Sequence, residues 1–100
     1  MEDYSLRIYP AAQGDFRDIV EYLNTLSCEA ATQYFDLLTE NFETLLLSPG
    51  LCPLTKDLQL RLRGYRMLAT KEYIVLFILN RTTVEIHRIL FNKRQYEGLL

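Results

Sequence analysis

The chain has no tryptophan, one histidine (His87), two cysteines and four scattered glycines, and each shortage removes a class of function. Cys28 and Cys52, with no CxxC spacing and a single histidine in the chain, supply too few ligands for a zinc site or a redox dithiol. Both thiols are therefore expected to be reduced and structural, and neither a metal nor another cofactor is expected. Glycines at 14, 50, 64 and 98 build no glycine-rich phosphate loop, which argues against the common nucleotide-binding folds. No stretch approaches the roughly 18 uncharged apolar residues of a membrane span. The opening "MEDYSLRIYP" lacks the basic and apolar regions of a secretion signal, so a cytoplasmic protein with no membrane partner is expected. There is no internal repeat and no low-complexity linker.

What is present fits one small globular domain: 100 residues, 49% hydrophobic and 24% charged. The net charge of -2 hides a division along the chain. Residues 1–60 hold three basic side chains against ten acidic ones, a net of -7, while residues 61–100 hold eight against three, a net of +5. Such polarity suggests a basic face for phosphate or for an acidic partner, carried on an acidic scaffold; solvated charges interleaved in space would give the same count.

The hydrophobic pattern supplies the elements. Residues 4–9 alternate Tyr4, Leu6 and Ile8 with Ser5, Arg7 and Tyr9, a half-buried strand. Pro10 suits a first helical turn, and Phe16, Ile19, Val20, Leu23 and Leu26 recur at helical spacing to residue 26. Ser27 is placed to cap a second helix with Glu29 near its positive end. Its apolar stripe of Ala31, Phe35, Leu38, Phe42, Leu45 and Leu46 runs to the stop at 48–50. The two helices should form an antiparallel hairpin. Residues 51–57 read as loop, and the alternation of Leu58, Leu60 and Leu62 suggests a strand or an irregular lead-in. Three strands follow at 65–70, 73–79 and 83–91, joined by tight turns at Lys71-Glu72 and at 80–82. The middle strand, apolar on both alternating faces, should be central and covered on both sides, one cover being the hairpin and the other the C-terminal segment or a bound partner.

Three stretches, "YPAAQGDFRDIVEYL" (9–23), "LRGYRMLATKEYIVLFIL" (62–79) and "VEIHRILFNKRQYEGLL" (84–100), resemble in this order the RelE/ParE family of type II toxin-antitoxin toxins. The resemblance implies an α+β fold of order β-α-α-β-β-β with a short C-terminal helix or tail. It also implies a bacterial toxin that restrains growth or maintains plasmids and is neutralised by a cognate antitoxin. RelE-like members cut mRNA on the ribosome, and ParE-like members block DNA gyrase by binding. Direct contact with operator DNA is not expected, since antitoxins of this family carry that half of the module.

Ribonuclease chemistry needs a base for the 2′-hydroxyl, cations for the pentacoordinate phosphate and an acid for the leaving oxygen. The resemblance maps two nuclease cations onto Arg66 and Arg94, with His87 or Tyr96 as assisting acid or base; Tyr96 stands earlier than the distal tyrosine of some nucleases. Two further cationic positions are occupied by Leu68 and Ile74. These departures and a pI near 5.3 favour the gyrase inhibitor over the ribosome-dependent nuclease, with a degenerate, inactive toxin as a further alternative. Candidate target or phosphate contacts are Arg63, Arg66, Arg88, Lys93 and Arg94. Strand alternation sets His87 and Arg88 on opposite faces unless a bulge intervenes, with Arg88 beside Val84, Ile86 and Leu90 as either a paired arginine or a functional one.

Overall fold

A computed structural model describes residues 3–91. Its elements are β1 (Ser5–Ile8), α1 (Pro10–Leu26), α2 (Cys28–Leu47), a single 3₁₀ turn (Pro49–Leu51), α3 (Leu58–Leu62), β2 (Tyr65–Ala69), β3 (Ile74–Asn80) and β4 (Thr83–Leu90). Pro10 opens α1, where its missing N–H has no intrahelical partner to lose. Ser27 serves both helices of the hairpin: its N–H donates to the Leu23 carbonyl at 3.0 Å, and its hydroxyl accepts from the Ala30 N–H at 2.9 Å. One residue therefore ends α1 and starts α2, which forces the sharp reversal.

The sheet order is β1-β4-β3-β2, with β2, β3 and β4 an antiparallel meander and β1 parallel to β4. The hairpin covers one face. Ile19 of α1 and Tyr34, Leu38 and Leu45 of α2 meet Tyr73, Val75, Phe77, Val84, Ile86 and Ile89 in the main core. Ile74, Leu76 and Leu90 form a smaller buried cluster on the opposite face, against Tyr65 and Met67. Both faces of β3 are thus buried, as its doubly apolar sequence requires.

Three features depart from the sequence pattern. Residues 58–62 are helical, because the Asp57 carboxylate accepts from the Leu60 N–H at 3.0 Å and Gly64 (φ 87) closes the other end. On α2 it is Tyr34 that enters the core, whereas Phe35 stays 52% exposed. Tyr34 lies flat against Phe16 and edge-on to Tyr73, and burial drives its phenol pKa upward. The third departure is in β4. Leu76 pairs with Arg88 but the next residue, Phe77, pairs with Ile86, so His87 is an extra residue. From there the alternation inverts, and Leu90 joins Leu76 instead of the face of Val84 and Ile86.

Candidate functional site

The β4 bulge decides where the candidate side chains go. Register carries Arg7 opposite Glu85 and Tyr65 opposite Ile78, which itself faces Glu85, so these groups share the sheet face away from the helices. The bulge adds His87 to them. Its Nδ1 lies 3.0 Å from the Tyr65 hydroxyl, its ring stacks on Tyr9 at 4.3 Å, and Nε2 stands 3.9 Å from Glu85 Oε1. Nε2 is buried without a hydrogen-bond partner. The Tyr9 hydroxyl donates to Glu85, which raises its pKa, and Arg7 lies 5.0 Å over the Tyr9 ring. Of the polar contacts His87 makes in this cluster only that to Tyr65 is within hydrogen-bond reach, so no hydrogen-bonded path among the described residues joins His87 to Glu85. Among the described residues around His87, Arg7 is the arginine that could offer a phosphate a positive charge.

Arg88 is turned to a different task. Its Nε and Nη2 donate to the Asp15 carboxylate at 2.7 and 2.9 Å, and the same carboxylate accepts from the Ile89 N–H at 3.0 Å. The parallel pairing with β1 ends at Ile86, so the Ile89 N–H faces an edge that has lost its strand, and Asp15 of α1 supplies the missing acceptor. The hydrogen bond to Asp15 also raises the Arg88 pKa, against a smaller opposing effect of burial.

Arg66 is likewise engaged. Its Nη1 donates to the Cys52 carbonyl at 2.6 Å and to the Gly50 carbonyl at 3.3 Å, fixing the loop before α3. Its register partner is Phe77, so it lies on the helix-bearing face, and the sheet separates it from His87. Arg63 ends α3, its N–H donating to the Leu60 carbonyl at 3.1 Å, while its exposed side chain has no hydrogen bond or ion pair among the described residues. Lys93, Arg94 and Tyr96 lie outside the described residues. The described candidates are therefore not one constellation: His87 and Arg66 occupy opposite faces, and Arg88 is tied to a helix.

Sequence reading missed Tyr9, Tyr65, Glu85 and Arg7 as neighbours of His87, and missed Asp15 as the partner of Arg88. No local motif could have found them, since 73 residues separate Asp15 from Arg88. The nearest signal was the "HR" pair in a strand, which without a bulge would have pointed in opposite directions. Among the described residues no group of three or more histidine, cysteine, aspartate or glutamate side chains could hold a metal, and no helix is long and apolar enough to cross a membrane.

A hollow of about 610 Å³ beside the sheet lies between the end of α2, the loop at 51–53 and β2. Leu47 and Leu51 stand exposed on its lining. A smaller apolar cleft of about 250 Å³ lies between the helices over Phe16, Phe35 and Phe42.

Comparison with known proteins agrees with this architecture. The chromosomal ParDE toxin-antitoxin system from P. aeruginosa contains a chain that superposes with a TM-score of 0.74 at 18% identity, over 90% of this chain and 97% of that one. A chain of the RelBE toxin-antitoxin complex from Mycobacterium tuberculosis gives 0.62 at 19% identity, over 90% and 99%. No curated protein sequence matches the chain significantly. The family model for the ParE toxin of the parDE type II toxin-antitoxin system matches residues 6–96, nearly the full length. With its sequence and its fold in agreement, the chain belongs to the ParE toxin family and is the toxin of a type II toxin-antitoxin module.

Proposed function

We propose that this toxin stops growth by binding its target and not by cutting RNA, that DNA gyrase is that target, and that a cognate antitoxin neutralises it in the cytoplasm. The observation that carries the reading is the employment of its arginines. Arg66 spends donors on the Gly50 and Cys52 carbonyls and Arg88 on Asp15, so neither points a free cation at His87. A metal-independent nuclease stabilises a pentacoordinate phosphate with several converging cations, and the family resemblance aligns the apolar Leu68 and Ile74 with two of its cationic positions. The resemblance to ParE toxins supports gyrase as the target, and the antitoxin-bearing complexes among the structural neighbours support the antitoxin.

The test is a supercoiling assay with relaxed plasmid, ATP, purified gyrase and antitoxin-free protein, in the absence of ribosomes. Loss of supercoiling that rises with protein concentration and is relieved by antitoxin is expected. Unchanged supercoiling at large molar excess removes gyrase as the target.

A further inference from the structure

The segment at 56–63, "KDLQLRLR", presents an arrangement that neither the core nor the sheet uses. Leu60 of α3 is half-buried toward the body of the protein, while Leu58 and Leu62, one turn apart, are 67% and 78% exposed. At about 100° per residue Leu58 and Leu62 point within about 40° of one another, and Arg61 lies about 60° from Leu58 around the axis. Lys56 and Arg63 flank the turn. All three cations are exposed, and their side chains have no hydrogen bond or ion pair among the described residues. The only acid in the stretch, Asp57, has its carboxylate engaged as the N-cap.

This exposure is held in place. Asp57 caps the helix and Thr55 N–H donates to the Tyr65 carbonyl at 3.0 Å, fixing the approach to α3. Gly64 N–H donates to the Arg61 carbonyl at 3.0 Å and closes its end. A five-residue helix is too short to be stable alone, yet these contacts hold it so that two leucines face water. Paired exposed leucines rimmed by free cations have the form of an interaction surface.

We infer that α3, through Leu58, Leu62, Lys56, Arg61 and Arg63, is a docking surface for an acidic, amphipathic segment of a partner protein. Charge complementarity selects the occupant. The segment 56–63 holds three cations against one acid, a net of +2, whereas the helical hairpin at 10–47 holds one against seven, a net of -6, so an acidic partner is drawn to α3 and turned away from the hairpin. The leucines favour protein over nucleic acid: phosphates reward the arginines and gain nothing from two apolar side chains, whereas the leucines of an amphipathic helix bury against them. The inference stands whichever target the toxin has.

Fluorescence anisotropy with the full chain tests it. The probes are a labelled 18-residue Leu/Glu peptide with leucines at spacings of three and four, an isomer of the same composition scrambled to have no apolar face, and an 18-nucleotide single-stranded RNA. The patterned peptide is expected to bind most tightly. The Leu58→Ser/Leu62→Ser and Arg61→Glu/Arg63→Glu double variants should each weaken it roughly tenfold or more. Leu26→Ser, at the far end of α1, should leave it unchanged, and circular dichroism should show all variants folded. Equal binding of the scrambled peptide or tighter binding of the RNA would reduce α3 to a general anion surface. Retained affinity in the leucine variant would overturn the proposal outright.

Discussion

Removing the Asp15 carboxylate cuts the polar link between α1 and β4. The side chain is 16% exposed and serves two partners: the N–H of Ile89, a residue only 2% exposed, and the guanidinium of Arg88, 38% exposed. In Asp15→Ala the Ile89 N–H is left in the core edge without an acceptor, which costs about 1.5–3 kcal/mol for a bond to a charged group. The Arg88 pair contributes less, about 0.5–1 kcal/mol, because the guanidinium keeps much of its water. The total of about 2–4 kcal/mol corresponds to roughly 10–25 °C in the melting temperature of a domain this size. Asp15→Asn keeps a neutral acceptor and should lose about half as much. Arg88→Ala, which leaves the Ile89 bond intact, should lose about 1 kcal/mol. Urea unfolding of the antitoxin-free protein measures all three. An Asp15→Ala midpoint equivalent to less than about 0.5 kcal/mol of loss, or an Arg88→Ala loss exceeding it, would refute the assignment of the backbone bond as the larger contribution.

Arg66→Ala should loosen the loop at 50–52 and cost about 1–2 kcal/mol while leaving gyrase inhibition by the folded protein intact; loss of inhibition without loss of stability would make Arg66 a target contact. Arg81 sits at φ 57 in the β3–β4 turn, so Arg81→Gly should raise stability by about 0.5–1 kcal/mol in thermal melts. Burial raises the Cys52 thiol pKa, with Arg66 opposing it more weakly, whereas Cys28 is exposed; at pH 8 iodoacetamide should modify Cys28 first in the folded protein, as peptide mass mapping would show. Tyr34 and Tyr73 have pKa values raised above 10.0, chiefly by burial. The folded state therefore holds their protons longer than the unfolded chain, and the stability they contribute is complete below pH 10 and lost as pH rises through their folded values. Urea midpoints from pH 8 to 12 should fall above pH 10, more steeply than in Tyr34→Phe.

Local signals were strong for the elements and weak for their assembly. Pro10, Ser27 and the helical recurrence of Ile19 and Leu38 set α1, α2 and the reversal between them, and the doubly apolar run from Ile74 placed β3 at the centre. The parallel pairing of β1 with β4 joins residues about eighty positions apart and left no local trace. Leu58, Leu60 and Leu62 suited a strand of period two as well as one helical turn; Asp57 and Gly64 decided the matter through their caps. Tyr34 and Phe35 are adjacent and both apolar enough for the core, and only the hairpin's packing phase chose between them. The site suffered most, because a single extra residue at His87 reversed the faces of everything after it.

The central claim is that this toxin acts by binding, and the most direct check asks whether it cuts. Antitoxin-free protein, shown to be folded and to arrest growth in cells, is incubated with programmed ribosomes and a defined mRNA, and new 5′ ends are mapped by primer extension. An intact message is the predicted result. Codon-phased cuts that appear only with ribosomes would contradict the account and make His87 and its neighbours part of a nuclease.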